Sequence, residues 1–373
     1  MNKNYLILNQ SLNALEGLIL LMKLFVILPA KKFLQIIALV NMKKKLLTLM
    51  IISIFFIMNS VYSQDPGFSQ FYANPVYLNP AMAGSSDCGR LSLNYNNQWP
   101  GINNSFITYS VSYDQFVEKL SGGLGIIMNY DVTGDGILNT STISGTYSYK
   151  LKVNKNLNIN VALQGGYYNK QLDWEKLVFG SEVDPSDPNF GSTEKIPDNL
   201  SFGFADFATG ILFGINDKIF AGFAAHHLTQ PNISFYKTED SKLDIKYTAH
   251  AGARFYLNPS HYKRSKNEYR QTSVSPNILY QKQDDFQQLN LGVYFNLYPF
   301  VFGAWYRHAF ENPNAMTALI GLRYNKFNFG YSYDYAVSKI NRVAGGSHEI
   351  SFTWHFNCNK KINRYEAIKC PSF

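Results

Sequence analysis

The chain has 373 residues, three cysteines and a formal charge of +8, with aromatic residues as frequent as charged ones at 16% each. Seven lysines (3, 23, 31, 32, 43, 44 and 45) and one acid, Glu16, precede residue 64, so the 34 bases and 26 acids of the whole become 27 and 25 beyond it, a balance of +2. A chain so nearly neutral offers nothing to nucleic acid or another polyanion, and no apolar run after Ser63 is long enough for a membrane-spanning helix.

Residues 1 to 41 contain an apolar segment, LILLMKLFVILPAKKFLQIIALV, interrupted by Lys23, Pro29, Lys31 and Lys32, which argues against a membrane anchor. The segment stands upstream of a complete export signal, so Met42 is the expected true start and 1–41 an upstream extension. In Met42 to Ser63, Lys43, Lys44 and Lys45 precede the apolar run from Leu46 to Met58 and a small-residue exit with Val61 and Ser63. That order is a secretory signal peptide, with cleavage expected after Ser63. Gln64, not a cysteine, stands directly after the cleavage site, which argues against a lipoprotein.

Residues 64 to 89 read as a non-strand, periplasmic segment. Pro66, Pro75 and Pro80 remove backbone donors and bias their neighbours towards turns, while Phe68, Phe71, Tyr72, Tyr77 and Leu78 need burial. Folding into or against a barrel mouth would satisfy both demands; a lid that only stabilises the barrel is the alternative.

From Arg90 to Asn357 the chain alternates apolar and polar residues in segments of about ten, the period of a strand with two unlike faces. Strands are expected at Arg90 to Trp99, Phe106 to Phe116, Gly122 to Tyr130, Thr140 to Lys152, Leu157 to Asn169, Leu200 to Phe213 and Lys218 to Thr229. Seven more follow at Asp244 to Leu257, Tyr269 to Gln281, Phe286 to Leu297, Phe300 to His308, Met316 to Tyr324, Phe327 to Val337 and Ser347 to Asn357. Phe327, Phe329, Tyr331, Tyr333 and Tyr335, for instance, alternate with Asn328, Gly330, Ser332, Asp334 and Ala336. A soluble sandwich would carry Lys and Glu on its polar face; here that face is Ser, Thr, Asn and Gly, suited to a hydrated lumen, with the aromatic face suited to lipid. The expected fold is therefore all-β, a transmembrane antiparallel β-barrel of about 14 strands in the outer membrane. Leu200 to Phe213 alternates poorly, and Pro276 demotes its strand or marks a bulge.

Connections of one parity are long (170–199, 230–243, 338–346) and those of the other short (153–156, 214–217, 325–326), as expected for external loops and periplasmic turns. The exception is Asn258 to Glu268, a basic periplasmic loop. An even strand count leaves both barrel ends periplasmic, together with the tail 358–373. Cys88 precedes the first strand and Cys358 follows the last, so closure could join them; Cys358 with Cys370 is equally open.

No catalytic or metal site and no cofactor is expected. His226 and His227 are neighbours in a strand and point to opposite faces, so with His250 they read as isolated lumen or interface residues. Glu182, Asp184 and Asp187 in the loop Ser181 to Glu194 lack calcium-loop spacing. The glycines at 122, 123, 125, 134 and 136 precede no helix that could bind phosphate.

Two stretches, QDPGFSQFYANPVYLNPAMAGSS (Gln64 to Ser86) and GGSHEISFTWHF (Gly345 to Phe356), resemble the PorP/SprF family of type IX secretion and gliding-motility outer-membrane proteins. The resemblance implies a non-enzymatic part in exporting or anchoring a large secreted adhesin, and in gliding, with outer-membrane lipid, that adhesin and periplasmic secretion components as partners. Phe68, Gln70, Phe71, Tyr72, Asn74, Pro75, Leu78, Asn79, Pro80 and Gly84 are the residues of the first stretch expected to form a plug or partner surface. Gly346, Ser347, His348, Glu349 and Ile350 form the second motif. An outer-membrane solute channel is the alternative function.

Overall fold

The computed structural model describes residues 65–86, 89–102, 106–154, 156–178, 195–215, 218–236, 241–257, 271–310, 314–337 and 345–356. The upstream extension, the signal peptide, all three cysteines, the loops Ser181 to Glu194 and Asn258 to Glu268 and the tail 358–373 lie outside the described residues.

The strands are β1 (Arg90–Gln98), β2 (Phe106–Val117), β3 (Gly122–Thr133), β4 (Leu138–Lys152), β5 (Leu157–Leu172), β6 (Ser201–Ile215), β7 (Ile219–His226) and β8 (Lys246–Ala253). They continue as β9 (Phe255–Tyr256), β10 (Ser273–Gln283), β11 (Phe286–Leu297), β12 (Phe300–Ala309), β13 (Ala315–Tyr324), β14 (Phe327–Ala336) and β15 (Ser347–His355). Fourteen of these fifteen form one closed antiparallel barrel, each paired with the next, and β15 closes on β1 with Arg90 opposite His355. The two-residue β9 continues the line of β8 against β10: Asn277 faces Gly252, Val274 faces Phe255, and the ladder is interrupted between them. Pro276 lies in that gap. Having no N–H to donate, it breaks the ladder without shifting the register, and no bulge forms.

The two faces are inverted relative to a soluble protein. Leu163 is 69% exposed and Ile350 53%, whereas Ser92, Asn160 and Ser332 are at most 2% exposed. Acyl chains can solvate the first set, and closure of β15 on β1 leaves the barrel with no free edge strand. Among the described residues no helix is long and apolar enough to cross a membrane. Leu163 lies midway along β5 on the outer face. Leu163→Arg is expected to destabilise the barrel by about 2–4 kcal/mol, the cost of a cation at the bilayer midplane. Urea unfolding in lipid vesicles measures it; an unchanged midpoint would place this face in water.

The inner face departs from the uniformly polar lumen expected. Leu212, Phe220, Leu279, Tyr294, Val301, Trp305 and Leu319 are all buried inside, on β6, β7 and β10 to β13. This explains the poor alternation of β6: its inward residues include Ala208 and Leu212, so both faces read as apolar. The lumen thus has a polar wall centred on β15, β1 and β2 and an apolar wall opposite. Inward glycines make room for the rings. A Cβ on Gly292 would strike the Trp305 indole, and one on Gly252 would strike the Phe220 ring.

Connections also sort by rim. The rim where β1 ends carries the long connections 173–200 and 227–245, and is called the loop rim below. The rim where β1 begins carries the turns 153–156, 298–299 and 325–326, with 257–272 its one long connection.

Candidate functional site

Residues 65–86 lie inside the barrel. Their local structure follows from the prolines: Pro75 opens α1 (Pro75–Leu78) and Pro80 opens a 3-10 turn (Pro80–Met82), each at a first helical position where its missing N–H costs nothing. The Asn79 side chain caps the second turn by accepting from the Ala81 amide at 2.9 Å. A further 3-10 turn spans Phe71–Ala73. Such short turns satisfy some of the backbone locally. Several of the other backbone groups bond to the wall.

The apolar side chains meet the apolar wall. The Phe71 ring stands edge-on to Trp305 with centroids 5.1 Å apart, and Tyr72 packs edge-on to Phe220 at 5.6 Å. Phe68, Phe71, Tyr72, Val76, Leu78, Ala81 and Met82 are each at most 5% exposed. Full burial of large apolar side chains contributes about 1.5–3 kcal/mol each, so this packing is the main term holding the segment.

Polar contacts set its position at four heights. Nearest the loop rim, Asp65 accepts from Lys246 at 3.3 Å and lies 2.8 Å from Nε2 of His227, while Nδ1 of His227 lies 2.7 Å from Asp206. Burial opposes ionisation of Asp65, but the positive charges of His227 and Lys246 outweigh it and hold the carboxyl well below the usual carboxylate range. Burial likewise opposes protonation of His227, in the connection past β7, but Asp65 and Asp206 outweigh it and hold its pKa up at about 9. This end of the segment is therefore fixed by formal charges.

Below it, Glu349 on β15 accepts from the Ser69 amide at 2.6 Å and the Gln70 amide at 3.1 Å. The Gln70 side chain returns the contact, donating to the Glu349 carbonyl at 2.9 Å and accepting from Ser351 at 2.6 Å. The Ser69 hydroxyl donates to Asp334, and Arg307 donates to both at 2.9 and 3.3 Å. Midway, Asn74 donates to Ser110 at 2.8 Å, and Asn79 reaches the Ile211 and Phe223 carbonyls at 3.2 and 3.3 Å. At the opposite rim Asp114 holds Arg90 at 2.9 Å and accepts from the Gly84 amide at 2.8 Å. Gly84 has φ +67°, and a Cβ on Gly123 would strike the Ala83 carbonyl. Segment and wall thus touch backbone to backbone there.

Phe68, Gln70, Phe71, Tyr72, Asn74, Pro75, Leu78, Asn79, Pro80 and Gly84 are all buried in this lumen. The second motif divides. Glu349 points inward to the segment; Ile350 points to lipid, and Nδ1 of His348 lies 2.9 Å from the Tyr331 hydroxyl on the outer face. Gly346, at φ +73°, turns the chain into β15, and a Cβ there would strike the Asp334 carbonyl. His227 is not isolated but an anchor between two carboxylates. Asp65, Arg90, Asp114, Lys246, Arg307 and Asp334 join it as residues the motifs did not single out. Their signal was available for Asp114 and Asp334, each a lone charge on a strand face otherwise of small or polar residues. Among the described residues no group of three or more His, Cys, Asp or Glu could hold a metal ion.

The family model described as Type IX secretion system membrane protein PorP/SprF matches residues 60–354. No curated protein matches the chain. Similar solved structures include the toluene transporter TbuX of Ralstonia pickettii (10% identity, 76% of this chain and 93% of that one, TM-score 0.46). They also include the outer membrane protein Omp33 of Acinetobacter baumannii (8% identity, 73% and 100%, TM-score 0.40).

Proposed function

From the premise that the chain belongs to the PorP/SprF family of type IX secretion system membrane proteins and is an outer-membrane barrel, we propose that it supports the export or surface anchoring of one large secreted adhesin, and through it gliding, without catalysing a reaction. The observation that favours this reading is the filled lumen. A barrel whose bore is occupied by its own residues 65–86, bonded at both rims, offers surfaces rather than a passage. Those surfaces are the long loops at one rim and the turns at the other, where periplasmic secretion components would dock, with the tail 358–373 as a further docking element. A chain delivered by the rest of the apparatus could then be held at the loop rim. Deleting the gene is expected to abolish surface display of one large protein while other barrels assemble normally; unchanged display would refute the proposal.

A solute channel is the second reading, favoured by the polar wall at Ser92, Asn94, Ser110 and Ser112. It requires stable large conductance from the intact purified chain in planar bilayers. The secretion reading expects almost none.

A further inference from the structure

The barrel proper starts and finishes at one rim: β1 begins there with Arg90, and β15 ends there with His355 directly opposite. The segment preceding β1 starts from this rim but does not remain on it. Traced backwards, Ser86 lies 3.4 Å from His355 and Gly84 bonds to Asp114, both at the turn rim. The Ala81 carbonyl then accepts from Ser148 at 3.3 Å and Asn160 at 3.1 Å, in the lower half of β4 and β5. Asn74 meets Ser110 halfway along β2, and Ser69 and Gln70 meet Glu349, the third residue of β15 from the loop rim. Asp65 finally meets Lys246, the first residue of β8, His227, just past the end of β7, and Gln283, the last residue of β10, whose side chain accepts from its amide at 3.2 Å. All three belong to the loop rim. The Asn96 side chain near the end of β1 donates to the Gly67 carbonyl at 2.7 Å, also at that rim. The segment 65–86 crosses the full height of its own barrel, and Asp65 stands at the rim opposite the start of β1.

In single-chain outer-membrane barrels the long loops face the exterior and the short turns the periplasm. We propose that the amino-terminal end of the processed chain is delivered through its own barrel to the cell exterior, where Asp65 is held at the loop rim by His227 and Lys246 and Gly67 stands exposed. Gly67 is exposed, and a side chain built there meets nothing within 4 Å, so this end has room for contact.

The test uses intact cells and a maleimide coupled to a polymer too large for porins, on Gly67→Cys, on Asp285→Cys at the loop rim and on Lys119→Cys at the turn rim, each read above the parent chain. All three positions are exposed. Gly67→Cys is expected to label as strongly as Asp285→Cys, and Lys119→Cys only after the outer membrane is permeabilised. Protection of Gly67→Cys in intact cells that label at Asp285→Cys would overturn the proposal, as would labelling of Lys119→Cys alone. An epitope placed between Gln64 and Asp65 and read by antibody on intact cells, with normal heat-modifiable mobility as proof of assembly, covers disturbance by Gly67→Cys. An epitope detected only after permeabilisation overturns the proposal as well.

Discussion

Removing residues 65–86 behind an intact signal peptide is expected to turn a nearly silent barrel into one of large, steady conductance. The strands pair into a closed ring without help from the segment, since β15 bonds to β1 along nine residue pairs. What the deletion removes is the occupant of the bore. The exposed lumen would have one wall of Ser, Thr and Asn, which water wets, and one bearing Trp305, Tyr294 and Phe220, which it does not. The shortened barrel is therefore expected to conduct and to lose thermal stability together, because those rings lose Phe71 and Tyr72 as partners. Planar-bilayer recording with a melting curve in detergent measures both. A shortened barrel that folds, as judged by heat-modifiable mobility, and still fails to conduct would mean that the loops close the bore.

Glu349→Ala is expected to loosen the upper half of the segment by about 2–6 kcal/mol, because two buried amides, of Ser69 and Gln70, lose their acceptor and each unmade bond costs about 1–3 kcal/mol. The loss is local. Gln70 keeps its side-chain bonds to the residue 349 carbonyl and to Ser351, and Asp114 still holds Gly84 at the other rim. Glu349→Gln retains an acceptor oxygen and is expected to cost much less. Amide hydrogen exchange at 68–72 reads the difference: faster exchange there with Glu349→Ala and unchanged exchange at 81–84 is the expected pattern. Equal rates in both variants and the parent would remove Glu349 from the anchoring.

The barrel was legible because lipid and water impose a period of two, which most of the expected strands keep and Leu200 to Phe213 does not. The non-strand character of 65–86 was legible from Pro66, Pro75 and Pro80. Its depth was not. Nothing near Gln70 indicates that it will bond to Glu349, 279 residues away in the chain. The apolar wall was hidden for a related reason: Leu212 and Trp305 face inward because Tyr72 and Phe71 lie there, and a periodicity argument presumes that the bore holds water. Where the bore holds protein, as along β6, both faces turn apolar and alternation fades. Single charges on the small polar face, such as Asp114, Asp334 and Glu349, were the readable marks of the anchoring points.

The family membership fixes the setting as type IX secretion at the outer membrane, and the filled bore bears on how the barrel serves there. The most direct test of that occupancy is a cysteine pair, Asn74→Cys with Ser110→Cys, in the native outer membrane, at side chains 2.8 Å apart halfway down the bore. Mass spectrometry of the oxidised protein is expected to find the two peptides linked in nearly every assembled molecule. Assembled barrels in which Asn74→Cys stays unlinked and reacts freely with soluble maleimide would contradict a lumen closed by its own chain.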